Sequence, residues 1–226
     1  MDRLHRTHLL FGDQGVQKLR NATVMVVGCG AVGSFAIEAL ARSGVGHLIV
    51  VDFDTVERTN INRQLFALES TIGLPKVDVA ATRIRDINPD TQVDVLNVFF
   101  DADTTLDVIP DFIIDAIDTV ESKVALYKWA HNHNIPFISS MGAASKTDIT
   151  QIKIAPISKT TVCPLASRVR KLVRDCDLPD FPVVYSTEKP APVIGHAKNL
   201  GSIITVTGTF GLVLANWVIQ NIVRDI

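Results

Sequence analysis

Short apolar runs alternate along this chain with segments whose apolar residues recur at helical spacing. The runs are rich in β-branched residues and predict strands at residues 23–27, 47–51, 93–98, 112–116, 135–140, 149–155 and 181–185. The helical spacing predicts helices at residues 31–42, 76–88, 120–132 and 164–175, and a mainly helical C-terminal segment. This order predicts an α/β fold, a Rossmann-like and mostly parallel sheet with helices on both faces.

Polar or proline-containing stretches separate these elements. They predict loops at residues 54–64 and 189–199. A parallel sheet of this kind binds its ligands beyond the carboxyl ends of its strands, at the switch point of the strand order. We therefore expect functional residues directly after Val27, Val51 and Ile114.

The C-terminal run Leu200–Val223 contains no charged residue and is long enough to cross a membrane. It also contains several threonine, asparagine, glutamine and glycine residues. A core helix of a globular protein is apolar on all sides as well. The run therefore predicts a buried helix or a subunit interface, and no membrane span is expected.

Composition excludes several classes of protein. Of the 226 residues 47% are hydrophobic and 20% are charged, which excludes intrinsic disorder. The 22 Lys and Arg against 24 Asp and Glu give a net charge of −2, so a uniformly basic nucleic-acid coat is excluded but a local basic face is not. The three cysteines form no C-x-x-C pair, and the N-terminus lacks the apolar core of a signal peptide. We expect a cytoplasmic protein with a single domain at residues 1–226.

The first candidate for chemistry is the glycine motif Gly28-Cys29-Gly30-Ala31-Val32-Gly33, between a predicted strand and a predicted helix. Its glycines, Gly28, Gly30 and Gly33, permit a tight turn and bring a phosphate close to a helix N-terminus, which attracts anions. Asp52 ends the second predicted strand, where a carboxylate accepts both ribose hydroxyls. The two features predict an adenine nucleotide, without separating NAD from ATP. Glycines used only for helix–strand packing are the alternative.

The polar loop after the second predicted strand favours a triphosphate. It contains carboxylate and amide groups at Asp54, Asn60 and Gln64. Arg63 offers a planar fork to phosphate oxygens, and Lys76 offers a mobile point charge. Two such cations suit an attack on the α-phosphate, because negative charge then builds up on the pyrophosphate. The alternative is a solvated loop with a surface arginine and a lysine that begins a helix.

Two carboxylates, Asp115 and Asp118, lie at the end of the strand predicted at residues 112–116. A carboxylate at the carboxyl end of a strand can hold Mg²⁺, the usual partner of ATP phosphates. Asp115 can alternatively orient the neighbouring backbone, and Asp118 can serve as the N-cap of the next helix. Their positions alone do not decide between these roles.

The motifs G-C-G-A-V-G, D-F-D, N-I-N-R-Q and D-A-I-D, in this order, resemble those of the ThiF/MoeB/ubiquitin-activating superfamily of adenylating enzymes. The resemblance implies binding of ATP and Mg²⁺ and adenylation of a carboxylate. It implies ribose binding by Asp52, and it makes Arg63 and Lys76 catalytic residues that contact phosphate. It also implies Mg²⁺ ligation by Asp118. Arg6 resembles an arginine that reaches the partner subunit's ATP, which implies a homodimer.

The longer segments R-T-H-L-L-F-G-D-Q-G-V-Q-K-L, A-R-S-G-V-G-H-L and V-T-G-T-F-G resemble the TcdA/CsdL branch of that superfamily over nearly the whole chain. Members of this branch are tRNA threonylcarbamoyladenosine dehydratases. The resemblance implies that ATP activates the carboxylate of that nucleoside, next to the anticodon, and that an internal nitrogen or oxygen closes a ring with loss of water. It implies a tRNA substrate, possible sulfur-transfer partner proteins, and substrate and dimer contacts by about residues 160–226.

Two features bear on the choice of substrate. ThiF- and MoeB-type enzymes usually carry two C-x-x-C pairs for zinc; this chain carries none, which counts against activation of a sulfur carrier. Cys29 is interpreted as a packing residue, and Cys163, at a predicted helix start, is a weaker candidate for a reactive thiolate.

A group of basic residues forms either a candidate tRNA-binding surface or an ordinary solvated helix face. These residues are Lys146, Lys153, Lys159, Arg168, Arg170, Lys171 and Arg174.

Three alternative functions stay open. The chain can adenylate the C-terminus of a ubiquitin-like sulfur-carrier protein, which would then drive ATP–pyrophosphate exchange. It can be an NAD-dependent oxidoreductase, which would bind NADH and not ATP. It can also be a nucleotide-sensing partner protein, which would bind ATP without turnover.

Overall fold

The computed structural model describes residues 2–106, 108–192 and 200–224, and within these it contains one sheet of seven strands and six α-helices. The elements in chain order are α1 (His5–Asn21), β1 (Thr23–Val27), α2 (Gly33–Ser43), β2 (His47–Val51), α3 (Lys76–Ile87), β3 (Gln92–Leu96), β4 (Phe112–Asp115), α4 (Val120–Asn132), β5 (Phe137–Ser140), β6 (Ile152–Pro156), α5 (Pro164–Asp175), β7 (Pro182–Ser186) and α6 (Ile204–Val223).

The sheet has the strand order β3-β2-β1-β4-β5-β7-β6. Neighbouring strands are parallel except for β6, which runs antiparallel to β7. The prediction of a Rossmann-like, mostly parallel sheet is therefore confirmed. Because β2 and β3 extend from one side of β1 and β4 begins on the other, the switch point lies between the carboxyl ends of β1 and β4.

Both faces of the sheet are covered, which explains why its central strands are apolar at consecutive positions. On β1, Val24 and Val26 pack into one layer, and Met25 and Val27 pack into the other. The first layer is completed by α1, α2, α3 and α6, and the second by α4 and α5.

The helix α6 is long and apolar enough to cross a membrane by length and composition, and 61% of that window is buried inside the protein. It packs backbone against backbone on α2, because a Cβ on Gly211 would lie 2.2 Å from the carbonyl oxygen of Val32. Phe210, Leu214 and Val218 are fully buried in the core. The prediction of a buried helix is confirmed, and no membrane span is indicated in the described residues.

Several boundaries differ from those predicted. The strand expected at residues 93–98 is shorter at its C-terminal end, and residues 149–151 form a 3₁₀ turn before β6 begins. The Asp148 side chain accepts a hydrogen bond from the Thr150 N–H and so stabilises that turn at the expense of the strand. Of the loop expected at residues 189–199, residues 193–199 lie outside the described part of the chain.

Candidate functional site

The glycine motif forms the turn between β1 and α2. Gly28 has a φ of +97°, and a Cβ there would lie 2.7 Å from the Ala116 carbonyl oxygen. A Cβ on Gly33 would lie 1.7 Å from the carbonyl oxygen of Gly28. These two glycines are therefore required to pack the turn against itself and against the segment after β4.

Gly30 is less crowded than the other two motif glycines. A Cβ there would meet only the Gln64 side-chain nitrogen, at 3.8 Å. Leu65, the next residue, donates its backbone N–H to the Ser34 hydroxyl at 3.1 Å. This bond joins the end of the polar loop after β2 to the start of α2. The structure therefore brings Gly30 and Gln64, two residues predicted to bind the nucleotide, close together.

Asp52 lies at the carboxyl end of β2, and its side chain is largely buried. One carboxylate oxygen accepts the Cys29 backbone N–H at 2.6 Å, and the other accepts the Asp54 N–H at 2.9 Å. A carboxylate can accept about four hydrogen bonds, so lone pairs remain for ribose hydroxyls. Asp52 thus holds the glycine turn in place and is the residue predicted to bind ribose.

The thiol of Cys29 is fully buried inside this turn. Burial raises the pKa of the thiol well above its ordinary value, and the negative charge of Asp52 raises it further. Since the thiolate is the nucleophilic form, burial and the raised pKa support the interpretation of Cys29 as a packing residue.

Lys76 is the first residue of α3, and only 6% of its surface is exposed. Its ammonium group lies 2.8 Å from a carboxylate oxygen of Asp54, and its backbone N–H donates to the Asp54 carbonyl oxygen at 3.0 Å. The structure therefore joins Asp52, Asp54 and Lys76 in one continuous group. The alternative interpretation, a solvated loop, does not account for Lys76, because this lysine is buried close to the predicted ribose site.

Arg63 is half-buried in the loop between β2 and α3. One guanidinium nitrogen donates to the Thr59 carbonyl oxygen at 2.8 Å and to the Asn62 side-chain oxygen at 2.9 Å. Asn60 is buried, and its side-chain oxygen accepts the Glu57 N–H at 3.1 Å. Asn60 therefore fixes the shape of the loop, while Arg63 keeps further N–H groups for a ligand.

Asn62 lies in the N-I-N-R-Q motif, but the sequence interpretation gave it no role of its own. Its amide nitrogen donates to the Ser202 carbonyl oxygen at 3.0 Å, across 140 residues of chain, while its oxygen holds Arg63. Asn62 therefore joins the segment before α6 to the polar loop between β2 and α3. Its position beside Arg63 was the available signal.

Asp115 is fully buried at the end of β4, and all of its hydrogen bonds are internal. One oxygen lies 2.7 Å from the Lys123 ammonium group and accepts hydroxyl hydrogen bonds from Tyr127 and Ser139; the other accepts the Ile117 N–H at 3.0 Å. Of its two predicted roles the structure selects orientation of the neighbouring backbone. Lys123 was missed, although a lysine on the apolar face of a helix was a usable signal.

Asp118 is exposed on the turn between β4 and α4. The N-cap of α4 is Thr119, without a side-chain capping bond, so the interpretation of Asp118 as the helix cap is wrong. Within the described residues its carboxylate accepts one long hydrogen bond, at 3.4 Å from the Thr119 hydroxyl. The structure leaves this carboxylate available one residue after Ile117, whose backbone lies close to Gly28.

Arg6 lies apart from these residues. It is exposed on α1, and within the described ranges it forms no hydrogen bond or ion pair with them. The candidate site of a single chain therefore lacks this predicted contribution.

The predicted basic surface is smaller than expected. Lys146 is buried, and its ammonium group donates to the Glu188 carbonyl oxygen. Arg170 is half-buried and donates to the carbonyl and hydroxyl oxygens of Thr160. The exposed cations among the seven are Lys153, Lys159, Arg168, Lys171 and Arg174.

Comparison with known proteins gives matches over nearly the whole chain. The model of the ThiF family matches residues 4–225. A tRNA threonylcarbamoyladenosine dehydratase of Bacillus subtilis is 42% identical, over 98% of this chain and 94% of the relative. Crystal structures of the Escherichia coli tRNA N6-threonylcarbamoyladenosine dehydratase, solved with AMP and with ATP, both have a TM-score of 0.91, at 37% and 36% identity, and cover 97% of this chain and 93% of that one.

Proposed function

This chain belongs to the ThiF family, and we propose that it is an ATP-dependent tRNA threonylcarbamoyladenosine dehydratase. The observation that carries the proposal is the site at the carboxyl edge of the sheet, where the glycine turn is bonded to Asp52 and Asp52 is linked through Asp54 to the buried Lys76. The names of the Bacillus subtilis and Escherichia coli relatives, and the nucleotides in the solved structures, support the same activity.

The reaction couples two bond changes. A carboxylate oxygen of the modified nucleoside bonds to the α-phosphorus of ATP, and pyrophosphate leaves. An internal nitrogen or oxygen then attacks the activated carbonyl carbon and loses its proton, and AMP leaves. The substrate has lost the elements of water, and the ATP cleavage supplies the driving force.

The residues of the site suit the first step. Asp52 accepts the ribose hydroxyls and fixes the nucleotide, while Lys76 and Arg63 donate to the phosphate oxygens. Both cations stabilise the negative charge that develops on the leaving pyrophosphate. The second step needs a carbonyl carbon activated by adenylation and no thiol from the protein.

The donor set at the site fits Mg²⁺ held together with the nucleotide. Within the described residues no group of three or more His, Cys, Asp or Glu side chains is placed to hold a metal ion. Mg²⁺ is usually held by one or two carboxylates together with substrate phosphates, without an all-protein cage. Asp118 is the available carboxylate and would hold the ion, which when bound neutralises phosphate charge.

The homodimer is supported by the first half of α1. Leu9 and Leu10 are 65% and 74% exposed, directly after the segment that carries Arg6. A second copy of the chain would cover these apolar side chains, and Arg6 of the first chain would then reach the nucleotide site of the second.

The tRNA is proposed to contact the exposed cations of α5. Arg168, Lys171 and Arg174 follow one another at three-residue spacing, so they lie along one side of the helix. Such contacts to phosphate position a nucleic acid without reading its sequence. A tRNA substrate also supports the cytoplasmic localisation, whereas a sulfur-transfer partner protein stays a prediction of the family resemblance.

The sulfur-carrier alternative is not favoured. The dehydratase relatives match over nearly the whole chain, and the three cysteines of the chain cannot form the two C-x-x-C pairs usual in sulfur-carrier activators.

The test measures nucleotide products. The protein is incubated with ATP, Mg²⁺ and tRNA that carries threonylcarbamoyladenosine, with an unmodified transcript of the same tRNA as the control. Release of AMP and pyrophosphate is expected with the modified tRNA and not with the unmodified transcript. Release of ADP and phosphate, or equal turnover with both tRNAs, would contradict the proposal.

A further inference from the structure

A buried polar group lies beneath the candidate site and takes no direct part in the proposed chemistry. It consists of Asp115, Lys123, Tyr127 and Ser139, here called the Asp115 cluster, and none of its members is more than 1% exposed. A buried ion pair usually gains little stability over apolar residues of the same volume, because both charges lose their water. Stability alone therefore does not account for the cluster.

Every polar atom of the cluster is engaged. The Lys123 ammonium group also donates to the Ser139 hydroxyl at 3.3 Å and to the Ser140 carbonyl oxygen at 2.8 Å, so it joins β4 and β5 to the first turn of α4. Burial raises the pKa of the Tyr127 phenol well above its ordinary value, and the charge of Asp115 raises it further. The phenol therefore keeps its proton and stays a hydrogen-bond donor.

The cluster holds both ends of the segment that carries Asp118. One oxygen of Asp115 accepts the Ile117 N–H, one residue before Asp118, and the other oxygen binds Lys123, five residues after it. The start of the turn is also held by β1, because Ala116 donates its N–H to the Val27 carbonyl oxygen at 2.9 Å. Asp118 is thus an exposed carboxylate on a backbone fixed by a buried carboxylate.

We infer that the Asp115 cluster positions Asp118 for Mg²⁺ and thereby sets the Mg²⁺ concentration that ATP binding requires. The inference rests on the proposed function, in which Asp118 holds the ion. Mg²⁺ demands nearly ideal octahedral geometry, so a ligand on a mobile turn binds it more weakly than a ligand on a fixed turn. Asp115 and its donors are positioning residues and do not touch the nucleotide.

The experiment removes single donors and keeps the ion pair. Tyr127→Phe keeps the ring against Phe137 and Phe181, at centroid distances of 5.2 Å and 4.6 Å, and removes one hydroxyl from Asp115. Ser139→Ala removes the other hydroxyl and serves if Tyr127→Phe folds poorly. Either change lets the carboxylate turn and loosens its bond to Ile117.

ATP binding is measured by calorimetry across a Mg²⁺ titration and, separately, in EDTA, alongside the melting temperature. The half-saturating Mg²⁺ concentration is expected to rise about tenfold in both variants, with ATP binding in EDTA unchanged. Ser122→Ala is the matched control on the same helix, because the buried Ser122 hydroxyl has no partner among the described residues. Lower melting temperatures with an unchanged Mg²⁺ requirement would overturn the inference and leave the cluster a structural element.

Asp118→Asn separates this inference from its premise. If Asp118→Asn raises the half-saturating Mg²⁺ concentration and the cluster variants do not, the inference alone fails. If Asp118→Asn leaves it unchanged, the assignment of Asp118 as the Mg²⁺ ligand fails, and the inference fails with it. A rise in Asp118→Asn and in both cluster variants supports it.

Discussion

Lys76 shows how one side chain links the fold to the proposed chemistry. Its backbone begins α3, and its buried ammonium group binds Asp54 at 2.8 Å. An ammonium group has three donors, so two remain for phosphate oxygens. Asp54 holds the cation in place before a nucleotide arrives, which reduces the cost of ordering it.

Removal of either phosphate cation is expected to slow the reaction. Lys76→Ala and Arg63→Ala should each lower the rate of AMP formation by about one to three decades, because the charge on the departing pyrophosphate loses a donor. Arg58→Ala is the matched control, since Arg58 lies in the same loop, is 77% exposed and pairs with Glu69. A rate loss in Arg58→Ala equal to that of the other two would contradict the assignment.

The motif glycines are expected to differ from one another. Gly33→Ala places a Cβ 1.7 Å from the Gly28 carbonyl oxygen and should lower the free energy of unfolding by about 2 kcal/mol or more. Gly30→Ala meets only Gln64, at 3.8 Å, so it should fold normally and lose ATP affinity, because its methyl group would crowd a phosphate bound at the glycine turn. Thermal melts and ATP titrations test both, and normal ATP binding by Gly30→Ala would count against the phosphate site.

At the scale of elements, α2 and α3 are joined by Glu38. Its carboxylate contacts Arg83 of α3 at 2.5 Å and Arg42 of α2 at 2.6 Å. Burial raises the pKa of Glu38, but the hydrogen bonds and charges of the two arginines outweigh burial, and the net pKa is lowered. The pairs therefore stabilise the fold above the ordinary pKa of a glutamate and lose that contribution as the pH falls through the lowered value.

Glu38→Gln tests this link. At pH 7 the substitution should lower the free energy of unfolding by about 1 kcal/mol, the upper end for a partly exposed ion pair. The difference from the wild type should shrink as the pH falls through the lowered pKa of Glu38. Urea unfolding at several pH values measures it, with Glu69→Gln as an exposed control. A difference that stays constant down to acidic pH would contradict the account.

Local pattern predicted the elements whose identity is set by nearby residues. The strands β1 and β2 and the helix α4 lie where their β-branched runs and helical spacing place them. The helix α1 was not predicted; Gly12, with a φ of +67°, interrupts its helical backbone, and the helix packs against α6 in the folded protein. The turn at residues 149–151 depends on one side-chain bond that periodicity does not report.

The candidate site divides in the same way. The motif glycines and Asp52 could be found from the sequence because one strand–turn–helix unit contains their geometric reason. The sequence marks Lys123 as unusual, but it does not show that the partners of Asp115 meet there, because they come from α4 and β5 and converge only in the folded sheet. The same holds for Lys146, predicted as a surface cation and buried against Glu188.

At the scale of the whole molecule, the proposed dimer makes a quantitative prediction. In a mixture of Arg6→Ala and Lys76→Ala chains, each mixed dimer contains one complete site if Arg6 acts on the partner's nucleotide. Random exchange should then restore about one quarter of the wild-type activity from two variants that each have low activity alone. Activity after mixing measures this, with each variant alone as the control. An absence of any recovery, although mixed dimers form, would show that Arg6 does not act in the partner's site.

The chemical change in the tRNA tests the central claim most directly. The tRNA is incubated with the protein, ATP and Mg²⁺ and is then digested to nucleosides, whose masses are measured by mass spectrometry. We expect threonylcarbamoyladenosine to be replaced by a product lighter by one water, and we expect Lys76→Ala to slow this conversion by about one to three decades, as for AMP formation. An unchanged nucleoside mass in the presence of bound ATP would contradict it.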